Sequence, residues 1–317
     1  MNILITAIGS LSAQCVVDSL KAVSTINKII GCDIYPKELH NITKDLDDVL
    51  RAPLVSDQEG SNYKQFIINT CKIYNVNLII PLTDIEVDFF NLNRDFFLEN
   101  NIQVAIGSFE FLSIARDKIK LSEFIKQNNF DSIKTYCLND IAKASFPIIG
   151  KPVNGRSSEG VIKMNSINDL NNKLDFSNYI FQEFIEGRIC TVDYIRDSKT
   201  EDYCAMPRVE LLRTKNGAGM TVDIVNDTKV VQIASEIGSL LDIHGCINFE
   251  FILNDNKYYL IDLNPRFSAG VGFSKVAGYD FPRNLFRLYN NEPIEPIKNY
   301  SRMILQKKMI EVINIIL

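Results

Sequence analysis

Histidine is scarce in this 317-residue chain, with only His40 and His244, so a histidine-centred mechanism has little to build on. Its seven cysteines (Cys15, Cys32, Cys71, Cys137, Cys190, Cys204, Cys246) are scattered and never form a CxxC pair. That pattern argues against a zinc site or disulfide framework and fits a reducing, cytoplasmic setting. Positive charge is in deficit: 34 Lys and Arg stand against 39 Asp and Glu, a net charge of −5. With no basic field, nucleic acid and an anionic membrane surface are excluded as expected partners. No apolar run approaches the roughly 18 residues of a membrane span. The opening MNILITAIGS has neither a basic n-region nor a cleavage motif, so it reads as a strand rather than a signal peptide. Repeats, linkers and low-complexity tracts are also missing. What remains is 46% hydrophobic and 23% charged, an ordinary globular composition long enough for two or three compact units that pack together.

The first hundred residues alternate short apolar runs with longer amphipathic stretches. Strands are expected at Asn2–Thr6, Ile29–Asp33, Leu78–Pro81 and Gln103–Ile106, with helices near Ser12–Val23, Tyr63–Tyr74 and Ile85–Glu99. Such βα alternation implies a parallel sheet covered on both faces. Asp117–Asn128 reads as a further helix. From about residue 133 strands become consecutive, at Ile148–Pro152, Val161–Met164, Tyr179–Phe184 and Ile189–Arg196, with one helix-like stretch at Ser166–Leu174. Further strands are expected at Tyr203–Leu212 and Met220–Val225, then a helix at Val230–Leu241. A hairpin joins Cys246–Leu253 to Lys257–Leu263, and a last helix covers Phe281–Tyr289.

Four groups of residues carry chemistry. Gly9 follows a strand and Asp33 ends the next, but GSLSAQ supplies one glycine where a dinucleotide fingerprint needs three, so a plain Rossmann-like unit is the better reading. Asp262 and Asn264, two apart on a strand, share a face, and Glu250 lies on the preceding strand of the hairpin. The length of the turn decides whether Glu250 stands opposite Asp262 or is displaced from it. Three oxygen donors at one strand end suit Mg²⁺, and Arg266 just beyond offers a planar fork to a phosphoryl group. The same residues also fit an ordinary solvated strand end. Lys151 enters a Gly/Ser-rich turn (Asn154–Val161) able to meet phosphates, yet GxxxxGK[ST] is absent and a plain turn explains it too. Finally, Phe181–Gly187 ends a strand in an acid-apolar-acid pattern that suits an adenine edge or simply a charged strand end.

Lys118 in ArgAspLys, Lys151 in GlyLysPro, the Gly/Ser loop, GlnGluPheIleGluGly, and AsnPheGluPhe before AspLeuAsnProArg occur in the order found in the ATP-grasp superfamily. From residue 2 to 290 the chain resembles its carbamoyl-phosphate-synthase-like and carboxylate–amine ligase branch. The resemblance implies an α/β and α+β chain: a Rossmann-like parallel sheet (1–110) followed by a two-subdomain ATP-grasp fold (111–195 and 196–317). It implies that Lys118 and Lys151 contact ATP phosphates, with Lys151 also near the adenine. Glu183, Phe184, Ile185 and Glu186 border the nucleotide, and Ser157, Ser158 and Gly160 cover the phosphates. Glu250, Asp262 and Asn264 bind Mg²⁺, with Mn²⁺ as the alternative ion, and Arg266 stabilises phosphoryl transfer. The implied reaction is ATP-dependent ligation of a small-molecule carboxylate to an amine or ammonia through an acylphosphate. Relatives are often homodimers.

Two departures from the family pattern stand out. Ile189 occupies the place of an acidic residue, which leaves Glu186 as the substitute ribose contact. Ala269 stands where carbamoyl phosphate synthases tend to carry a second arginine, and the motifs occur once rather than in tandem. A carbamoyl- or carboxy-phosphate-forming subunit is therefore the second expectation, and an inactive ATP-binding sensor the third. Arg208, Arg213 and Lys215 are expected either to clamp a substrate anion or to form an exposed basic strand edge. Thr83, Asp84 and Glu86 follow a strand at the carboxyl edge of the parallel sheet, where they cap a helix or touch substrate. The apolar segment Ser301–Leu317 is expected against the first unit or a neighbouring chain.

Overall fold

A computed structural model describes residues 1–155, 159–170 and 175–311. Strands β1 (Asn2–Thr6), β2 (Lys28–Asp33), β3 (Asp48–Arg51), β4 (Leu78–Ile80) and β5 (Gln103–Val104) form a parallel sheet in the order β3-β2-β1-β4-β5. Helices α1 (Ala13–Lys21), α2 (Ser61–Tyr74), α3 (Asp84–Leu92) and α4 (Arg94–Glu99) connect them. The single helix expected over Ile85–Glu99 is broken at Asn93, whose side-chain amide donates to the Phe89 carbonyl (2.9 Å). Asparagine's side chain competes with the helical ladder, so it marks the break. The turn of strand order between β1 and β4 is the switch point at which open α/β sheets admit ligands.

Helices α5 (Phe109–Ala115) and α6 (Lys118–Gln127) lead into an antiparallel sheet of β6 (Thr135–Tyr136), β7 (Ile148–Pro152), β8 (Ile162–Met164) and β9 (Tyr179–Glu183), ordered β6-β9-β7-β8. Of the helix-like stretch Ser166–Leu174, a short 3₁₀ turn at Ile167–Asp169 is present, while residues 171–174 lie outside the described residues. A larger antiparallel sheet holds β10 (Arg188–Arg196), β11 (Tyr203–Arg213), β12 (Gly219–Ile224), β13 (Gly245–Asn254), β14 (Lys257–Asn264) and β15 (Met303–Gln306) in the order β14-β13-β10-β11-β12-β15. Helices α7 (Thr228–Leu240), α8 (Val271–Val276) and α9 (Phe281–Tyr289) pack on it. Sheet membership changes between Glu183 and Arg188, so β10 belongs with the later strands although the expected boundary near 195 groups it with the earlier ones. Of the final segment, Met303–Gln306 pairs with β12 as an edge strand, Met303 and Leu305 pack against the core that holds Ile3 and Ile5, and residues 312–317 lie outside the described residues.

Period-2 alternation divides the larger sheet into two faces. One carries Val192, Phe249 and Phe251 into a core that also contains Leu4, Ile30 and Ile79 of the parallel sheet. The other carries Ile195 and Met206 into a second core with Ile3, Ile5, Phe281 and Phe286. Both cores therefore weld the larger sheet to the parallel sheet. The small sheet has a core of its own, around Tyr136, Ile148, Met164 and Phe181.

Candidate functional site

The site begins with a hairpin. Asp255 and Asn256, with φ of 46° and 61°, make a two-residue turn in which Asn254 faces Lys257. Left alone, that register displaces Glu250 from Asp262 by one residue. A β-bulge between Glu250 and Phe251 absorbs the slip, and Glu250 faces Asp262 while Asn248 faces Asn264. The residue skipped in the register is Ile261, and its carbonyl accepts from Lys151 Nζ at 3.0 Å. The bulge thus aligns two carboxylates and leaves a main-chain acceptor for a lysine from another sheet.

The same alternation builds a polar row. Thr191 faces both Arg208 and Glu250, and Asp193 faces Asn248, so four adjacent strands present polar side chains on one face. Arg208 is buried beneath it. Its guanidinium donates to Asp193 Oδ2 (2.6 Å), Glu210 Oε1 (3.1 Å) and Ser268 Oγ (3.0 Å). A Cβ at Gly270 would lie 2.7 Å from Arg208 Nη2, so only glycine lets this loop pass. Arg208 is therefore a wall of the site whose donors are largely committed, rather than a free anion clamp.

Two pockets meet over this row. The larger, about 540 Å³, lies between the carboxyl edge of the parallel sheet (Ser10–Ser12, Leu82–Ile85) and the polar face. Asp84, Arg208, Arg213, Glu250, Asp262, Asn264 and Arg266 all line it. The smaller, about 370 Å³, is bounded by β7, β9 and β14, and Lys118, Lys151, Glu183, Phe184, Ile185 and Glu186 line it. Arg213, Glu250 and Asp262 line both. Ser157 and Ser158 lie outside the described residues. Gly160 does not line the smaller pocket, although Glu159 and Val161 beside it do. Lys215 is exposed and lines neither pocket, which leaves it as surface charge.

The cations rest on specific acceptors. Lys118 Nζ donates to the Gly155 carbonyl (2.9 Å) and stands 3.5 Å from Asp262 Oδ1. Burial lowers the Lys151 pKa to about 8 against the opposing pull of Asp262. Arg213 Nη2 reaches both Glu250 oxygens at 3.2 Å, and Arg266 Nη2 donates to Asp84 Oδ2 at 2.7 Å. Desolvation raises the Glu250 pKa, Arg213 opposes the shift, and the neighbouring Asp262 adds to it.

Three expectations change on contact with this geometry. Thr83 occupies the N-cap of α3 without capping it; its hydroxyl donates to Glu86 Oε2 at 2.7 Å. Glu86 also accepts from Tyr63 and is buried outside both pockets, so it ties helices together instead of touching substrate. The N–H groups of Glu183 and Phe184 are already given to the Lys134 and Pro147 carbonyls (3.0 and 3.1 Å). Sequence reasoning missed Asn248, whose amide donates to the Arg266 carbonyl (3.0 Å), and Glu210 and Ser268, which hold Arg208. Asn248 precedes Glu250 by two in a strand, a signal present in the alternation.

Residues 115–270 match the ATP-grasp domain family. A carbamoyl phosphate synthase large chain from Thermoanaerobacter sp. is 24% identical over 210 residues, covering 57% of this chain but only 19% of that protein. The chain thus corresponds to about a fifth of that relative. Among solved structures, N5-carboxyaminoimidazole synthetase from Staphylococcus aureus complexed with ADP superposes with a TM-score of 0.76 at 12% identity, over 97% of this chain and 82% of that one. The biotin carboxylase domain of 2-oxoglutarate carboxylase from Hydrogenobacter thermophilus, in complex with MgADP and bicarbonate, gives a TM-score of 0.77 at 12% identity, over 92% and 70%. These likenesses cover the parallel sheet as well as the two antiparallel ones. Residues 115–270 are thus an ATP-grasp domain, and it follows an N-terminal Rossmann-like parallel sheet.

Proposed function

We propose that the protein is an ATP-dependent ligase that joins a small-molecule carboxylate to an amine or ammonia through an acylphosphate. The observation that carries this reading is the meeting of two pockets at one pair of facing carboxylates, Glu250 and Asp262. Phosphoryl transfer between two bound substrates needs this arrangement: each substrate held separately, with the reacting groups brought together at one charged edge.

In this reading the smaller pocket takes ATP. Its apolar walls (Ile149, Val161, Ile189, Ile252) sandwich the base, and the main chain at Ile185 meets the adenine edge. Ile189 offers no ribose contact, so Glu186 takes that place. Lys118 and Lys151 neutralise phosphate oxygens. The donor set also fits Mg²⁺. Among the described residues no three His, Cys, Asp or Glu gather at one point, but two carboxylates and the Asn264 amide project from one hairpin edge. Burial, with Asp262 beside it, disfavours the charged form of Glu250, and a divalent cation would offset both effects. When bound, Mg²⁺ would draw phosphate charge toward these oxygens; Mn²⁺ takes similar ligands. For either ion, Lys118 and Arg213 must turn from their carboxylates toward phosphate.

In the reaction, a carboxylate oxygen of the substrate in the larger pocket attacks the γ-phosphorus, and the bond from phosphorus to the bridging oxygen of ADP breaks. Arg266 faces the charge that develops on the transferring group. The amine nitrogen then attacks the acyl carbon, the carbon–oxygen bond to phosphate breaks, and the nitrogen's proton passes to solvent. Incubation with Mg-ATP and pools of amino acids and other small acids, with ADP, AMP and phosphate measured, tests this. ADP with phosphate is expected, and release of AMP contradicts it. The names of the carbamoyl phosphate synthase relatives favour a second reading, formation of a carboxy- or carbamoyl-phosphate, which bicarbonate-dependent turnover would select. A sensor that binds ATP without turnover would release no ADP in any pool.

A further inference from the structure

Resting on the ligase reading above, we infer that Asp84 is a positioning residue, supplied by the parallel-sheet unit, that aims the Arg266 guanidinium at the reacting phosphoryl group. Asp84 is the first residue of α3, directly beyond β4 at the switch point. A carboxylate there is favoured by the helix dipole. Its side chain is only 3% exposed, so it meets few groups in water. Oδ2 accepts from Arg266 Nη2 at 2.7 Å, and Oδ1 lies 3.8 Å from Arg116 Nη1.

Arg266 is held from its other side too. Nη1 donates to the Phe267 carbonyl (3.1 Å), and Asn248 fixes the Arg266 carbonyl (3.0 Å). With one end of the guanidinium on its own main chain and the other on Asp84, its plane is set before substrate arrives. A long side chain without that second anchor would keep several rotamers, and the entropy of choosing one would fall on the transition state. The two residues are 182 apart in sequence, and their contact crosses from the parallel sheet to the larger antiparallel sheet.

Arg116 shows why the anchor is specific. It pairs through Nε and Nη2 with Asp88 (2.8 and 2.9 Å), one turn along α3, and it stands two residues before Lys118. Helix α3 therefore presents two acids near Arg116, of which Asp88 alone hydrogen-bonds it at 2.8 and 2.9 Å while Asp84 stands 3.8 Å away. Asp88 secures Arg116 ahead of α6, whereas Asp84 is the one that reaches Arg266.

Asp84→Asn keeps the shape and removes the charge. We expect kcat for ADP release to fall about 10- to 100-fold, with the KM for Mg-ATP within about threefold of the native value. Asp88→Asn should stay within about threefold in both. In an Arg266→Gln background, Asp84→Asn should add less than about twofold, because both changes remove one interaction. Equal losses in Asp84→Asn and Asp88→Asn, a full additional loss in the Arg266→Gln background, or a raised KM with unchanged kcat would overturn the assignment. A readout free of turnover is the ¹H–¹⁵N Nε–Hε resonance of Arg266, identified by its loss in Arg266→Gln. It should move toward the averaged position of solvent-exposed arginines in Asp84→Asn but not in Asp88→Asn; an unmoved resonance in Asp84→Asn also overturns the inference. Native protein that releases no ADP with any acid counts against the ligase reading alone, because the resonance still decides the positioning role.

Discussion

The two pockets hold their charges differently. In the smaller one both lysines donate to main-chain carbonyls, Lys118 to Gly155 and Lys151 to Ile261, within largely aliphatic walls, and Asp262 stands 3.5 Å from Lys118 at the shared edge. In the larger one each arginine leans on a carboxylate: Arg208 on Asp193 of β10 and on Glu210 of its own strand, Arg213 on Glu250, Arg266 on Asp84. A main-chain carbonyl is a weak partner that a triphosphate displaces readily; a buried carboxylate is not. The smaller pocket is thus suited to receive charge and the larger to fix Arg208 and Arg266 in place, with Arg213 and Glu250 on the edge that both share. The supporting cores agree, since the small sheet packs around its own core while the larger sheet shares both of its cores with the parallel sheet.

Variants can break that contrast, and the shared edge should give the largest effect. Asp262 lines both pockets, so Asp262→Ala should lower ADP release by about a thousandfold or more; unchanged turnover would remove it from the site. Arg266→Gln should cost about a hundredfold in kcat with nucleotide affinity almost unchanged, as measured by steady-state kinetics and titration with Mg-ADP. Loss of nucleotide affinity instead would move Arg266 to the other pocket's duties.

Lys151→Met should reverse the pattern, weakening Mg-ADP binding about tenfold or more in calorimetry. Its pH dependence has a definite sign. Burial lowers the folded-state pKa to about 8 from the usual 10.5, so between these values the unfolded chain binds more protons. This lysine's contribution to stability therefore rises with pH through that window and disfavours folding most below it. Nucleotide affinity runs the other way and should weaken as pH rises above about 8, by at most about tenfold per unit. Lys151→Met should flatten both slopes. The smallest effect belongs to Lys215, exposed and outside both pockets: Lys215→Ala should change kcat and KM by less than about twofold.

The same contrast explains what was legible in the sequence. The smaller pocket is written in short stretches. GlyLysPro, the strand ending at Glu183 and the AspLeuAsnProArg run each place their chemistry by local geometry, and β7 occupies the expected residues. The larger pocket is written in distant pairs. Nothing local shows that Asp84 meets Arg266, or that Asp193 and Glu210 occupy Arg208, so these residues read as free clamps and caps. The hairpin lies between the two cases. Its two strands are legible as Cys246–Leu253 and Lys257–Leu263, yet Glu250 faces Asp262 only because a bulge at Ile261 corrects a two-residue turn. Bulges leave no fixed mark in residue types, because they answer to packing on both sheet faces.

The central claim is that the two pockets exchange a phosphoryl group directly from ATP to a carboxylate. With an acid that supports turnover, labelled with ¹⁸O in its carboxyl group, mass spectrometry of the released phosphate decides the matter. The acylphosphate route moves one ¹⁸O from the acid into each phosphate formed. Phosphate without label, or label in AMP, would contradict the account.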